Sequence, residues 1–261
     1  MPQPTTLENE SRTRKTGTLY IVSTPIGNLE DMTFRALRTL KEVSAIAAED
    51  TRHTGKLLAH FQIHTPMTSY HDFNKEEKTL VLIKRLLEGD SFALVSDAGT
   101  PTLSDPGYYL IKTAITNHIP VSPIPGPAAA IAALSVSGLP TDRFVFEGFP
   151  ARKKGKRDKQ LETLKTDPRT LIFYESPYRI VSLLTAIRDI MGERRVAMGR
   201  ELTKLHEEVI RGTVSEVINQ LAGKTPRGEI TLIVEGMPPA KKSKKTLVSI
   251  SKIFSKADIL C

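Results

Sequence analysis

Three polar loops carry the residue types that ligand binding and catalysis require. They occupy residues 23–29, 49–52 and 96–101, and each directly follows a short apolar run. Their carboxylates and hydroxyls can hydrogen-bond a ligand, and their small residues let the backbone approach one. A turn with helix caps uses the same residue types, and that interpretation is the better one for any loop taken alone. Three such loops together favour a ligand site, because ligands of open α/β sheets bind at strand ends.

The second half of the chain carries two similar loops, at residues 175–179 and 199–204. Each follows an apolar run and contains both acidic and basic side chains. A capped helix start, or a surface ion pair of little energetic weight, explains either loop equally well. These residues alone indicate a two-domain α/β enzyme that binds a small ligand and an anionic polymer, and they leave the reaction open.

Several common catalytic motifs are absent from the sequence. Neither GxGxxG nor GxxxxGK[ST] occurs, which argues against a dinucleotide-binding Rossmann enzyme and a P-loop nucleotide hydrolase. No GxSxG nucleophile elbow occurs. The single cysteine and the scattered histidines lack the spacing of a zinc site, so we expect no metal.

The chain is basic, with 37 Lys and Arg against 29 Asp and Glu and a net charge of +8. Such an excess favours a polyanionic partner, because cationic side chains displace counterions when they contact phosphates. The alternative interpretation is that the positive charge only keeps the protein soluble. Clustering of the charge favours the first interpretation. We predict that one cluster contacts the phosphates of the partner: Arg152, Lys153, Lys154, Lys156 and Arg157.

Short apolar runs alternate with segments of helical periodicity, and these elements must position the loops. The alternation in the first half predicts a largely parallel sheet. Asp31 is expected to cap the first helix, with Phe34, Leu37 and Leu40 on one face. The predicted strands are 19–22, 45–48, 67–70, 92–95 and one near 121, and the predicted helices are 33–43, one through 57–58, 75–88 and 107–116.

A second α/β domain with mixed strand order is predicted for the remainder. Residues 123–127 contain three prolines and a glycine, which cannot continue a helix or a central strand, and they predict a hinge. The second half has a predicted helix at 128–136 and predicted strands at 144–149, 170–174, 196–199, 209–213 and 230–235. The predicted divisions are a flexible tail at 1–16, an N-terminal domain at 17–124, a C-terminal domain at 125–237 and a basic tail at 238–261, with a short helix over 247–257.

The sequence also predicts the compartment. The N-terminal residues are polar and lack the apolar core of a signal peptide. The lone Cys261 allows no disulfide within one chain. The longest stretch of small apolar residues, 124–139, is interrupted by prolines and is too weakly hydrophobic to span a bilayer. We therefore expect a cytoplasmic protein without a membrane partner.

Six longer motifs are distinctive as a set: TPIGNLED (24–31), AEDTRHTGKLL (48–58), VSDAGTPTLSDPG (95–107), SGLPTDRFVFEGFP (137–150), RTLIFYESPYR (169–179) and RELTKLHEE (200–208). Together they closely resemble the ribosomal RNA small subunit methyltransferase I family, within the tetrapyrrole methylase superfamily. Precorrin and uroporphyrinogen methylases share the general layout, whereas EDTR, FYESP and RELTK resemble the ribosomal branch. The resemblance covers residues 17–236.

The resemblance implies two α/β domains with S-adenosylmethionine in the cleft between them, and a homodimer. It implies methylation of the ribose 2′-hydroxyl of a cytidine near the decoding centre of 16S ribosomal RNA. The partner is then 16S RNA or the small ribosomal subunit, not DNA, and the basic cluster is an RNA-binding segment. By position in the motifs, the implied cofactor-binding residues are Pro25, Asp97, Ala98, Gly99, Thr100, Pro101, Asp105, Pro127, Ala128, Phe173, Tyr174, Gly199, Arg200, Glu201, Leu202, Gly228 and Ile230.

This chemistry requires alignment and removal of one proton. The methyl group of a sulfonium is already activated, so the enzyme mainly aligns the reacting atoms. A ribose hydroxyl is a poor nucleophile until its proton leaves, so a general base assists. The candidates for that base are Asp50, His71 and Glu175, in no particular order, and Arg52 is expected to position a phosphate or the acceptor.

The chain departs from the family pattern at a few positions. Where the family has YHxHN, Phe73 replaces the second histidine, which weakens any mechanism that needs two histidines. Where the family has PGxSA, the serine is replaced by Ala128, and a hydroxyl that could contact the cofactor is lost. Two alternatives stay open: a methylase of small tetrapyrroles, which would not need the basic cluster, and a non-catalytic RNA-binding assembly factor, which would not need the cofactor loops.

Overall fold

The computed structural model describes residues 16–223 and 226–238, and the first half of that range forms a parallel five-stranded sheet. The strand order is β3-β2-β4-β1-β5, so all five carboxyl ends lie at one edge. The strands are β1 (Leu19–Val22), β2 (Ala45–Ala48), β3 (Met67–Ser69), β4 (Phe92–Val95) and β5 (Val121–Ile124), and the helices are α1 (Phe34–Glu42), α2 (Thr51–His60), α3 (Lys75–Leu87) and α4 (Tyr108–Thr116).

The central strands of this sheet are apolar on both faces because helices cover both. Every residue of β2 and β4 is buried. Phe92 and Leu94 pack with α3 and α4 on one face, whereas Ala93 and Val95 pack with α1 and α2 on the other. The loops that follow β1, β2 and β4 therefore start from fixed strand ends at a shared edge.

A second five-stranded sheet has the order β6-β7-β10-β8-β9. Its strands β6 and β7 are parallel, and the remaining pairs are antiparallel, as the prediction of mixed order required. Its elements are α5 (Ala129–Val136), β6 (Phe144–Gly148), α6 (Lys154–Leu164), β7 (Thr170–Glu175), α7 (Ile180–Met191), β8 (Arg195–Arg200), β9 (Glu208–Thr213), α8 (Val214–Leu221) and β10 (Ile230–Val234).

The two faces of the second sheet have different neighbours. Helices α6, α7 and α8 pack on one face around Leu171 and Phe173. Helix α5 packs on the other face around Ile172, together with Ile26 from the loop after β1. Because side chains alternate along a strand, β7 directs Phe173 into the core and Tyr174 to the side of α5.

The predicted element boundaries agree with the structure to within a few residues at most ends, and the exceptions have physical reasons. Thr33, not Asp31, caps α1, because its hydroxyl accepts a hydrogen bond from the nitrogen of Ala36 over 3.1 Å. Phe34, predicted to share one face with Leu37 and Leu40, is 93% exposed because it lies at the first position of the helix. Strand β5 continues through Pro123, which an edge strand tolerates because its other side has no partner strand.

The domain boundaries stay a prediction. Strand β5 ends the first sheet at Ile124, and the next helix, α5, packs on the second sheet, which is compatible with a division between 124 and 125. The tails, including the helix predicted over 247–257, lie outside the described residues apart from 16 and 238. Among the described helices, none combines the length and apolar character that crossing a bilayer would require.

Candidate active site

The loops after β1 and β4 are joined into one platform. Thr24 and Gly99 exchange two backbone hydrogen bonds, of 2.9 and 3.0 Å. The hydroxyls of Ser23 and Thr100 lie 2.9 Å apart, and that of Thr100 also donates to the carbonyl of Pro127 over 3.1 Å. Gly99 has φ +77°, and a Cβ there would lie 3.3 Å from Cγ2 of Ile26. The platform therefore needs glycine at this turn.

A first cavity of about 380 Å³ lies between this platform and the second sheet. Its walls are mostly apolar, with a few hydroxyls and carboxylates. The ring centroids of Phe149 and Tyr174 lie 5.5 Å apart on one wall. The lining residues are Ile26, Ala98, Gly99, Thr100, Leu103, Ser104, Asp105, Ala128, Ala129, Phe149, Tyr174, Glu175, Ser176, Pro177, Gly228, Glu229, Ile230 and Thr231.

Tyr174 fixes the first cavity to α5. Its hydroxyl oxygen accepts a hydrogen bond from the backbone nitrogen of Ala130 over 3.2 Å. Burial raises the pKa of the Tyr174 phenol above its ordinary value, so the group is neutral at physiological pH. Tyr174 therefore offers an aromatic face to a ligand and anchors the first turn of α5.

A second cavity of about 320 Å³ adjoins the first, and the two share Ile26, Ala98 and Glu229 as lining residues. The second cavity is more polar and includes three basic side chains. His53, Lys56 and Leu57 face it from one side of α2, as helical spacing allows. The other lining residues are Thr24, Pro25, Gly27, Leu29, Thr54, Ser96, Asp97 and Lys204.

Three carboxylates lie close together beside the platform. Burial raises the pKa of Glu49, and the charges of Asp105 and Asp97 raise it further. Burial also raises the pKa of Asp105, with a smaller contribution from Asp97, although a hydrogen bond with Ser96 opposes it. The raised pKa values mean that removing the protons of Glu49 and Asp105 is costly. A bound cation would relieve that cost.

The structure places Asp50 and Arg52 outside both cavities, as partners of each other. Asp50 caps α2 by accepting from the backbone nitrogen of Arg52 over 2.8 Å. The guanidinium of Arg52 binds the same carboxylate, with Nη2 2.7 Å from Oδ2. Hydrogen bonds from Arg52 lower the pKa of Asp50 well below its usual range. Asp50 is therefore a weak base, and its predicted role as general base does not fit this geometry.

Glu175 lines the first cavity, and Oε1 of its carboxylate is engaged by two neighbours. Only 2% of its side chain is exposed, Arg179 forms an ion pair with it, and the backbone nitrogen of Ser176 donates to Oε1 over 2.7 Å. His71 lies after β3, lines neither cavity, and is held by Asn74, whose Oδ1 accepts from the His71 backbone nitrogen. Of the predicted bases, Glu175 thus lines the first cavity, whereas Asp50 and His71 line neither.

The predicted cofactor-binding residues divide into several groups. Ten of them line a cavity beside the platform, and Pro101 and Pro127 lie next to the platform in sequence. Phe173 is placed differently, since its side chain is fully buried in the core behind the second sheet. The residues that line a cavity are Pro25, Asp97, Ala98, Gly99, Thr100, Asp105, Ala128, Tyr174, Gly228 and Ile230, where Pro25 and Asp97 line the second cavity alone.

The segment 199–204 supports the cavities from behind. A Cβ on Gly199 would lie 3.2 Å from Leu202, so the two pack closely. Arg200 pairs with Glu208 and also donates to the carbonyl of Arg227, at the edge of the sheet. These three residues therefore hold the segment in place and line neither cavity.

Glu201 and Lys204 connect this segment to both cavities. The carboxylate of Glu201 accepts from the backbone nitrogen of Glu229, and this bond lowers its pKa. A Cβ on Gly228, which has φ +89°, would lie 2.2 Å from Glu201 Cδ. Lys204 binds Glu201 and Glu229, each over 3.0 Å, and its stem lies against Gly27. Glycine is therefore favoured at positions 228 and 27, because a Cβ there would collide with the side chains of Glu201 and Lys204.

Several lining residues were missed from the sequence although they stand in the quoted motifs. His53 and Lys56 lie in AEDTRHTGKLL, Phe149 in SGLPTDRFVFEGFP, Ser176 in RTLIFYESPYR and Lys204 in RELTKLHEE. The helical face of α2 was the available signal, since an N-cap at Asp50 puts positions 53, 56 and 57 on one side. The others depend on how the two sheets face each other, which no local pattern shows.

The basic cluster lies at the start of α6. Residues 152, 153, 154 and 156 are exposed, and no side chain caps this helix. Cations at a helix N-terminus oppose the helix dipole, so an anion bound there would be stabilising. Arg157 differs, because only 11% of its side chain is exposed and Nη1 donates to the hydroxyl of Ser182 over 2.9 Å.

The chain is similar to known proteins over most of its length. Residues 18–218 match the family model of the tetrapyrrole (corrin/porphyrin) methylases. A protein of Halalkalibacterium halodurans named ribosomal RNA small subunit methyltransferase I is 56% identical over 84% of this chain and 76% of its own. Its namesake from Escherichia coli O157:H7 is 50% identical over 88% of this chain and 81% of its own.

Solved structures show the same fold at low sequence identity. A diphthine synthase aligns with a TM-score of 0.64 at 13% identity, over 85% of this chain and 91% of its own. A uroporphyrin-III-C-methyltransferase from Thermus thermophilus aligns with a TM-score of 0.57 at 21% identity, over 83% and 94%. Identities of 50% and 56% over most of the chain distinguish this branch from the other methylases of the fold. The chain belongs to the ribosomal RNA small subunit methyltransferase I family of tetrapyrrole methylases.

Proposed function

We propose that this protein transfers the methyl group of S-adenosylmethionine to the ribose 2′-hydroxyl of a cytidine near the decoding centre of 16S ribosomal RNA. The observation that carries the proposal is the placement of the family motifs. The loops after β1 and β4 and the segments around Tyr174 and Gly228 converge on one cavity. The high identity to relatives named for this activity supports the choice of RNA as the substrate.

The first cavity fits S-adenosylmethionine by the chemistry of its lining. Tyr174 and Phe149 provide apolar aromatic surface for an adenine, and Thr100, Ser104 and Ser176 provide hydroxyls for a ribose. Asp105 provides a carboxylate whose charge favours a cationic sulfonium or ammonium. Gly99, without a Cβ, leaves the platform open to close approach.

The protein's own contribution is alignment and proton removal. S-adenosylmethionine supplies an activated methyl group when bound. The platform holds the loops in register through the Thr24 and Gly99 backbone pair, which restricts where an acceptor can approach. A carboxylate beside the acceptor hydroxyl stabilises the proton as it leaves. The phosphates of the RNA require cationic contacts, and the exposed start of α6 offers four of them.

Methyl transfer to small ribosomal subunits tests the function. Subunits are purified from cells that lack the modification and incubated with tritium-labelled S-adenosylmethionine and the protein. Label in a single cytidine, in a linkage that resists alkaline cleavage of the RNA, is the expected result. Label in a base would overturn the ribose assignment. Absence of label despite calorimetric binding of S-adenosylhomocysteine would overturn the choice of substrate.

The remaining parts of the proposal are a homodimer and a cytoplasmic site of action. The family resemblance supports the dimer. The cytoplasmic location is supported by the name of the Halalkalibacterium halodurans relative, which indicates that its substrate is ribosomal RNA. Sedimentation equilibrium of the purified protein should give the mass of two chains. A single-chain mass at micromolar concentration would contradict the dimer.

A further inference from the structure

Two adjoining cavities lie beside the platform, and each is large enough to hold part of a ligand. A transfer reaction needs two ligands whose reacting atoms meet at one point. The cavities share Ile26, Ala98 and Glu229, so their common boundary is one place where ligands on the two sides would meet. Ala98 is small and exposed there. The first cavity fits the cofactor, which leaves the second without an assigned ligand.

The second cavity has the chemistry of a nucleotide site. Lys56 and His53 are exposed on the face of α2 that borders it. Lys56 forms no ion pair with any residue that the structure describes, whereas Lys204 in the same cavity is neutralised by Glu201 and Glu229. Lys56 and His53 are therefore the side chains that can bind a phosphate of the ligand. Lysine commonly binds phosphate through its localised positive charge.

Asp97 lines the second cavity and precedes Ala98, which lies at the boundary of the two cavities. Its Oδ1 accepts from the backbone nitrogen of Asp50 over 3.1 Å, which fixes the plane of the group. Within residues 16–223 and 226–238, the bond to Oδ1 is the one hydrogen bond that the Asp97 carboxylate accepts, which leaves Oδ2 for a ligand. The other carboxylate of the second cavity, Glu229, is paired with Lys204. Asp97 is thus positioned to accept a hydrogen bond from a ligand.

We propose that the second cavity receives the target nucleotide, with Lys56 and His53 on its phosphates and Asp97 accepting the proton of the ribose 2′-hydroxyl. This assignment rests on the proposed function and specifies its acceptor side. The hydroxyl proton passes to the Asp97 carboxylate as the oxygen–carbon bond forms. The carbon–sulfur bond breaks at the same time, its electron pair stays on sulfur, and the proton then leaves to water.

Ligand affinities of paired variants test the cavity assignment. The double variant His53→Ala/Lys56→Ala is compared with wild type and with Lys41→Ala, an exposed lysine on α1 that lines neither cavity. The probes are unmodified small subunits, by filter binding, and S-adenosylhomocysteine, by calorimetry. The double variant should bind subunits about tenfold more weakly, the loss of roughly one charge-assisted contact. Its affinity for S-adenosylhomocysteine should match that of wild type.

Asp97→Asn tests the proton acceptor, because its amide oxygen can still accept from the Asp50 nitrogen. The expected result is a kcat lowered about 100-fold or more with both affinities retained, as loss of a general base predicts. Equal subunit affinity of the double variant and wild type would overturn the cavity assignment, and an unchanged kcat of Asp97→Asn would overturn the role of Asp97. Wild-type protein that binds subunits but transfers no methyl group would overturn the proposed function instead, and the binding comparison would still decide the cavity.

Discussion

Oδ1 of Asp97 accepts a hydrogen bond from the backbone nitrogen of Asp50 over 3.1 Å, and this bond ties the loop after β4 to the start of α2. Asp50 in turn caps α2 through the backbone nitrogen of Arg52. The Asp97 carboxylate, which lines the second cavity, is therefore held at a fixed position relative to the helix that presents Lys56. Asp50 thus holds Asp97 through its backbone nitrogen, and its own carboxylate is bonded to Arg52.

Gly99→Val should abolish most cofactor binding. Gly99 has φ +77°, and its added Cβ would lie 3.3 Å from Ile26 Cγ2 in the wall of both cavities. A β-branched residue in this conformation is strained by about 1–3 kcal/mol and would push the platform out of position. Calorimetry with S-adenosylhomocysteine measures the loss.

Gly138→Val provides the matched control for the Gly99 variant. Gly138 has φ +75°, and nothing lies within 4 Å of an added Cβ. The two variants should lose similar thermal stability because both force valine to a positive φ. Only the Gly99 variant should lose cofactor affinity. A comparable loss in both would mean that global destabilisation, not the wall of the cavity, causes the effect.

Asp105→Asn should reduce the preference for S-adenosylmethionine over S-adenosylhomocysteine. The two ligands differ in charge at sulfur, and Asp105 lines the first cavity. Calorimetric affinities for both ligands, in wild type and variant, give the ratio. The wild-type ratio should also fall as the pH is lowered through the raised pKa of Asp105, because protonation removes the charge. A ratio unaffected by both changes would place the sulfonium away from this carboxylate.

The same carboxyl group should make stability depend on pH. Burial raises the pKa of Asp105 above its ordinary value of 3.8, so the folded state binds the proton more tightly than the unfolded state. Its stabilising contribution is present below pH 3.8 and is lost as the pH rises through the folded-state pKa. The thermal stability of Asp105→Asn relative to wild type should therefore increase between acidic and neutral pH. A difference independent of pH would contradict this linkage.

Phe173 and Tyr174 show which part of the site could be predicted from the sequence and which part could not. The motif FYESP placed both aromatic residues near the cofactor, and the strand prediction was confirmed. Strand alternation sends Tyr174 to the cavity and Phe173 to the core. The sequence does not decide which is which, because β7 is apolar on both faces. That choice depends on which side of the second sheet faces the platform, and it is set by tertiary packing.

The choice of helix N-cap is a second feature that the sequence alone did not predict. Asp31 and Thr33 are both good cap residues two positions apart, and only the path of the chain between β1 and α1 selects Thr33. Asp50 shows the opposite case, since a good cap residue directly after a buried strand does start α2. Its role as a cap, paired with Arg52, lowers its pKa and makes it a weak base. The local sequence predicted the helix but did not show that the carboxylate of Asp50 is bonded to Arg52.

Arg179→Ala should destabilise the fold far more than Arg52→Ala. Both arginines pair with a carboxylate, but the side chain of Glu175 is 2% exposed and that of Asp50 is 33% exposed. Removing Arg179 would leave a buried charge unpaired, at a cost of about 3 kcal/mol in the free energy of unfolding. Water would solvate Asp50 after removal of Arg52, so that change should be small. Urea denaturation of both variants measures the contrast, and equal losses would contradict the role of burial.

Replacing the exposed basic residues at the start of α6 should weaken RNA binding and flatten its dependence on salt. The variant changes Arg152, Lys153, Lys154 and Lys156 to Ala and keeps Arg157, which is mostly buried and bonded to Ser182. Each lost phosphate contact lowers the slope of log affinity against log salt by about 0.7–0.9. Filter binding to small subunits at several salt concentrations measures the slope. Four exposed basic residues on other helices, Arg38, Lys41, Lys84 and Lys112, can be changed together to Ala as a control of equal charge, once this control variant is shown to keep the melting temperature of wild type. A slope lowered equally by both variants would mean that only net charge matters, because position on the surface would then carry no information.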